Sequence, residues 1–245
     1  MAKDPVHSLR VGTKRVRAIL RLSKQKSSRR NRTKKLRILA LELAPLRDNK
    51  ILSEQLKLAI AASPETQSGE IPLIRKLLKY QSMQPSSKKG RLSKVSLGLK
   101  KLEADFQHES NEKISSTDLV AGLCKSYQKA KRAQKKCQNQ RSFAGFHEWR
   151  KSTKILQYQL EAVLKYQRPK TRTMSALSDL TDLQGQIQDL AAFVRFLKTH
   201  RVHLGQMRRN LRQKRRKLEN KALNEGGKIF KFGAKHWIKV ALPKA

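Results

Sequence analysis

An all-helical (all-α) fold is what this sequence predicts, on three observations. Leu, Ala, Lys, Arg and Gln are abundant, whereas aromatic residues make up 5% and Gly and Pro number 11 and 7; that composition belongs to helices rather than sheets. Apolar residues recur three and four apart through most of the chain, the spacing that puts them on one side of a helix. Cap signals open several of these runs. With 245 residues and 38% hydrophobic content, the chain can fill a sizeable core.

Asp4-Pro5 starts the first helix, since Asp caps and Pro suits the first turn, and the pattern carries it to about Gln25. "SSRRNRTKK" then interrupts the apolar spacing, and "LRILALELAPLRD" forms a second helix expected to end near Pro45. A third runs from about Asn49 on Ile51, Leu52, Leu56 and Ile60. "SPETQSGEIP" and "QPSSKKG" read as turns around a short amphipathic helix with Ile74, Leu77 and Leu78. A longer helix from Leu92 to about Phe106 closes the first half.

"SSTD" (Ser115–Asp118) caps the next helix, which passes through Leu119, Leu123, Tyr127 and Ala130. The chain pauses at "NQRSFAG", forms another helix, and breaks at "RPKTRT". Met174–Leu183, Leu190–Leu197 and Leu204–Leu223 supply three more, with Gly226-Gly227 as the stop. Residues 1–225 therefore read as one domain of two helical halves, about 1–110 and 111–225. Residues 226–245 form a basic, aromatic tail that either packs as a short last element or stays mobile.

The charge sets the function class. Fifty-seven Lys and Arg against 18 Asp and Glu give +39, far beyond what solubility requires, so the chain wants an anionic partner. Residues 1–50 carry +13 and residues 201–245 carry +12. Cys124 and Cys137, thirteen apart on one expected helix, stand about 20 Å from each other, too far for a disulfide; they read as buried thiols of a reducing compartment. No stretch approaches the length of a membrane span, and a cytoplasmic protein is expected.

Two stretches resemble each other. "VHSLRVGTKRVRAILRL" (Val6–Leu22) and "FHEWRKSTKILQYQLEA" (Phe146–Ala162) align without gaps at an offset of 140. His7 meets His147, Arg10 meets Arg150, Thr13 meets Thr153 and Lys14 meets Lys154; two of only six histidines fall in register. Asp48 and Asp189 follow at an offset of 141. The chain looks like two copies of one helical unit.

At 100° per residue, His7, Arg10, Lys14, Arg17, Arg21 and Lys24 share a stripe about 100° wide, while Leu9, Val16, Ile19 and Leu20 lie on another side. His147, Arg150, Lys151, Lys154 and Tyr158 form the stripe of the second copy. Cations three and four apart repel, and an anion relieves that repulsion. Phosphate polymers fit best, because each unit is charged and Arg offers a planar fork to phosphate oxygens. The histidines sit in first turns, where free backbone N–H groups favour an anion, and affinity should strengthen as pH falls toward 6.

These motifs resemble the CHAD family, the conserved-histidine α-helical domain. Its first motif is read as "HSLRVGTKRVRAILRL"; its second as "HEWRKSTKILQYQLE", with His147, Arg150, Lys151, Lys154, Tyr158 and Glu161; "LRD" at Leu46–Asp48 and "LQGQIQD" at Leu183–Asp189 resemble its helix junctions. The resemblance implies two four-helix bundles related by a pseudo-twofold axis around a central basic cavity. It implies binding of inorganic polyphosphate, association with polyphosphate granules, and no catalysis. Gln157 departs from the family's Arg, and Lys50 from its Asp.

In this reading Arg10, Lys14, Arg17, Arg150 and Lys154 make the principal contacts and His7 and His147 complete a shared cradle. Arg21, Lys34, Arg37 and Lys151 are secondary, while Tyr158 with Glu161 orients a neighbouring base. No cofactor is expected, and no metal: "HRVH" at His200–His203 offers two ligands without a third. An enzyme is disfavoured because Asp48, Asp179, Asp182 and Asp189 lie at expected helix ends, where capping is the commoner job. A membrane partner is disfavoured because the apolar faces are needed for cores. Nucleic acid is the alternative partner: attraction to a phosphate backbone follows from the charge, and "QMRRNLRQKRRKLENK" with the aromatic tail suits RNA.

Overall fold

The computed structural model describes residues 4–22, 26–61, 70–82, 88–109, 114–165, 172–201 and 205–242. Among them the chain forms ten helices and no strand. In order these are α1 (Pro5–Ile19), extended by a 3₁₀ turn (Leu20–Leu22), α2 (Lys26–Glu42), α3 (Ala44–Ala61), α4 (Glu70–Ser82) and α5 (Lys88–Glu109). Then come α6 (Ser116–Asn139), α7 (Phe143–Lys165), α8 (Arg172–Thr199), α9 (Gly205–Ile229) and α10 (Ala234–Ala241). "RPKTRT" falls mostly outside the described residues, as do His203 of "HRVH" and the side chain of Asp48.

Two caps behave as their chemistry dictates. The Asp4 carboxylate accepts the backbone N–H groups of Val6 and His7 at 3.0 and 3.4 Å, and Ser115 Oγ accepts that of Asp118 at 3.2 Å, satisfying donors that a helix start leaves orphaned. Lys50 reaches Asp4 Oδ2 at 3.4 Å and ties α3 to the start of α1.

Four expectations need correction. First, "SSRRNRTKK" does not interrupt a helix: α2 begins at Lys26 and contains it. Arg and Lys are good helix formers, and α5 anchors them, with Lys35 pairing to Asp105 at 2.7 Å and Arg32 lying 4.3 Å over the Phe106 ring. Second, α3 starts at Ala44, so Pro45 lies in its first turn, where the missing N–H costs nothing.

Third, Met174–Leu183 and Leu190–Leu197 are one helix, α8, which runs unbroken through "LQGQIQD". Fourth, α9 passes through Gly226-Gly227 and ends at Ile229. A Cβ on Gly226 would stand 2.5 Å from Trp149 Cζ2 and 2.8 Å from Gln134 Nε2. This glycine admits an indole against the helix instead of terminating it.

Most of the core lies in the second half. Tyr127 of α6, Phe146, Trp149 and Leu156 of α7, Leu177 and Leu180 of α8 and Ala222 of α9 are buried together. The tail joins them: α10 contributes Trp237, Ile238 and Ala241. Tyr127 Oη donates to the carbonyls of Phe232 at 2.8 Å and Ile229 at 3.3 Å, and Lys131 Nζ also donates to Phe232 O at 2.8 Å, closing the end of α9. Cys137 is buried on α6, and burial pushes its thiol up to about 11.

A second cluster crosses between the halves. Leu190, Phe193, Phe196 and Leu197 on the far end of α8 pack with Leu52 and Leu56 of α3, Ile74 of α4 and Met207 of α9. Val6, Leu43 and Val95 form a small third cluster under α1. No described helix is long and apolar enough to cross a membrane.

Candidate functional site

The two histidine-led helices pack directly on one another. Arg15 of α1 pairs with Glu161 of α7 at 3.2 Å, Gln159 Nε2 donates to the Ala18 carbonyl at 2.9 Å, and Arg21 shares a pocket with Ser152 and Ile155. As the number rises along α1 it falls along α7, so the helices cross antiparallel, close to Ala18 and Gln159.

That crossing corrects the shared histidine cradle. His7 lies eleven residues before Ala18 and His147 twelve before Gln159. At a helical rise of about 1.5 Å per residue these are about 16 Å and about 18 Å from the crossing, in opposite directions. Both rings are exposed, at the two ends of the helix pair. His147 Nδ1 is hydrogen-bonded to Gln188 Oε1 of α8 at 2.8 Å. The N-terminus of α1, expected to attract an outside anion, already holds the Asp4 carboxylate.

The residues nearer the crossing gather into two groups. On the α1–α2 side, Arg17 is half-buried and feels the charges of Arg21 and Arg37, while Arg21 feels that of Arg29. Burial first, and then these neighbours, lower the pKa of Arg17 and Arg21 from the ordinary value. The buried Arg17 Nε has no hydrogen-bond partner among the described residues. Like charges in partly dry surroundings raise the energy of the folded chain, and an incoming anion lowers it again. Lys14 and Lys34 are exposed on the same two helices.

On the α7–α8 side the cations are partly neutralised. Lys154 is half-buried, and burial, followed by Arg150 and then Arg15, lowers its pKa, while Asp182 and Glu161 act in the opposite sense. Gln157 is buried; its Oε1 accepts from Lys154 Nζ at 2.9 Å and from Thr181 Oγ1 at 3.0 Å. It thus holds Lys154 to α8 at the position where α1 carries Arg17. Tyr158 lies between Lys154, 5.5 Å from its ring centre, and Arg15, 5.7 Å away, so it positions two cations. Lys151 instead pairs with Glu148 at 2.8 Å, outside both groups.

Arg10 and Arg150 make matching contacts. Arg10 Nη1 donates to the Ala40 carbonyl of α2 at 3.3 Å, and Arg150 Nη1 donates to the Thr181 carbonyl of α8. The Arg150 guanidinium lies against Gly185 of α8, where a Cβ would make ordinary contact with it at 3.4 Å. Both arginines therefore bind their neighbouring helix as well as contributing charge. Sequence reasoning missed Arg15 and Arg29. Arg29 stands eight before Arg37, two turns along the same side of α2, a spacing that was available; nothing in the sequence marks Arg15, whose partner Glu161 is 146 residues away.

A comparison with protein families matches the model described as CHAD domain to residues 2–198 of this chain. No curated protein and no solved structure matches it.

Proposed function

Because the chain belongs to the CHAD family, we propose that it binds inorganic polyphosphate along the basic surface at the α1–α7 crossing, without catalysing a reaction on it. The observation that carries this reading is the arginine group Arg17, Arg21, Arg29 and Arg37. No carboxylate is among the charges that act on Arg17 or Arg21. An anion relieves the mutual repulsion around Arg17 and Arg21, and a polymer with a charge on every phosphate supplies that at many points at once.

The antiparallel crossing favours a linear ligand. One stripe runs from His7 toward Arg21 and the other from His147 toward Lys154, so a chain can follow one stripe, pass the crossing, and continue along the other. Arg17, Arg21 and Arg37 make the strongest contacts in this arrangement, Lys14, Lys34 and Lys154 supplement them, and the histidines meet the ligand at its two exits. Binding of this type would place the protein on polyphosphate granules in the cytoplasm.

The test is a titration with long-chain polyphosphate at several salt concentrations. Affinity should fall linearly with salt on logarithmic axes, because bound counterions are released. Arg17→Gln/Arg37→Gln should weaken binding at least about tenfold and flatten that slope by about 1 for each contact removed. Unchanged affinity and slope in this variant would refute the assignment.

A further inference from the structure

A pocket of about 170 Å³ opens where the 3₁₀ turn meets α6 and α7. Arg21, Lys125 and Lys129 line it, with the hydroxyls of Ser126 and Ser152, and no carboxylate is in its lining. We propose that this pocket is a site for a terminal phosphate group, the compact dianion found at the end of a polyphosphate chain and on short phosphates such as pyrophosphate. The proposal takes phosphate as its ligand class from the function proposed above; Arg21 belongs to both the stripe and the pocket, whereas Lys125 and Lys129 of α6 belong to the pocket and not to the stripe.

Three arguments support it. Lys125 and Lys129 stand one turn apart on α6, an arrangement in which like charges repel, and Arg21 adds a third cation from the 3₁₀ turn. Glu148 lies one turn before Ser152 and its charge interacts with Lys129, yet its carboxylate is held by Lys151 at 2.8 Å. Arg21 and Lys125 thus face the pocket with no carboxylate in its lining.

The second argument is the repeat offset, which aligns Arg21 with Glu161. At one side of the crossing, Glu161 neutralises Arg15 at 3.2 Å. At the other, Arg21 stands in the carboxylate's place beside Ile155 and Ser152, so the same geometry becomes cationic. The third argument is size. A volume of 170 Å³ equals the space of about six water molecules, enough for an end group and too small for a length of polymer. Ser152, whose hydroxyl donates to the Glu148 carbonyl at 3.0 Å, is buried in its wall, and Ser126 offers a hydroxyl.

The experiment titrates pyrophosphate and long-chain polyphosphate into the full chain and into Lys125→Gln/Lys129→Gln, two exposed positions. Lys235→Gln/Lys239→Gln serves as a charge-matched control. Pyrophosphate affinity should fall at least about tenfold in the first variant, roughly one charge-assisted hydrogen bond, and stay within about twofold in the control. Phosphorus NMR of a chain with free ends separates the two sources: broadening of the end-group resonance that depends on Lys125 and Lys129 assigns the chain terminus, and loss confined to pyrophosphate assigns the free ligand. Equal pyrophosphate affinity in wild type and the Lys125→Gln/Lys129→Gln variant, or equal loss in the control, would overturn the proposal. Long chains that bind with an end-group resonance indifferent to Lys125 and Lys129, while pyrophosphate does not bind, would sink this site alone; pyrophosphate that binds through these lysines while long chains fail would sink the polymer reading alone.

Discussion

Gln159 of α7 donates its side-chain amide to the Ala18 carbonyl of α1 at 2.9 Å, in the buried seam where the two basic helices cross. This bond holds the α1 stripe against the α7 stripe. Gln159→Leu should cost about 1–2 kcal/mol for a buried hydrogen bond, lowering the thermal midpoint by about 2–8 °C in a chain of this size. Calorimetry checks this, and an unchanged midpoint would remove the bond from the account.

Gly226 and Gly227 make opposite predictions. A Cβ at Gly226 meets Trp149 at 2.5 Å, whereas nothing lies within 4 Å of one at Gly227. Gly226→Ala should destabilise by about 1–3 kcal/mol through overpacking, less the helix propensity it gains. Gly227→Ala should stabilise by up to about 1 kcal/mol. Denaturant unfolding of both variants tests whether α9 continues through the pair.

Arg10 and Arg150 should separate from the arginine group. Each bonds a carbonyl of the neighbouring helix, so Arg10→Gln/Arg150→Gln should lose about 1 kcal/mol of stability per bond along with polyphosphate affinity. Arg17→Gln/Arg37→Gln, which relieves repulsion, should lose affinity while the ligand-free thermal midpoint holds or rises. Paired melting and binding measurements distinguish these outcomes.

Tyr127 links pH to folding. Burial pushes its phenol from the ordinary 10.0 up to about 12, so between those values the folded chain keeps a proton that the unfolded chain has released. Its contribution is complete below about pH 10 and is lost as pH rises toward 12. Wild type should therefore lose more stability than Tyr127→Phe between pH 9 and 11.5 in urea unfolding.

The helical class, the Asp4 and Ser115 caps and the two basic helices were legible because they rest on local periodicity and composition; that these helices meet was implied only by the family resemblance. The continuity of α8 and α9 was not. Gly226 looks like a break in sequence, but it makes room for Trp149 from α7, and such a tertiary demand leaves no local trace. The end-to-end placement of His7 and His147 was hidden for the same reason. A repeat reveals equivalent residues, while the direction in which two helices cross depends on contacts such as Arg15 with Glu161. Gln157, where the resemblance implies Arg, accepts from Lys154 and Thr181, a use that only the position of α8 discloses.

The most direct test is competition between polyphosphate and RNA at matched phosphate concentration and near-physiological salt, for wild type and Arg17→Gln/Arg37→Gln. The account predicts that polyphosphate displaces RNA from wild type and loses that advantage in the variant, while Lys235→Gln/Lys239→Gln behaves as wild type. RNA displacing polyphosphate, or equal losses in the two variants, would contradict it by showing that total charge rather than the arginine group governs binding.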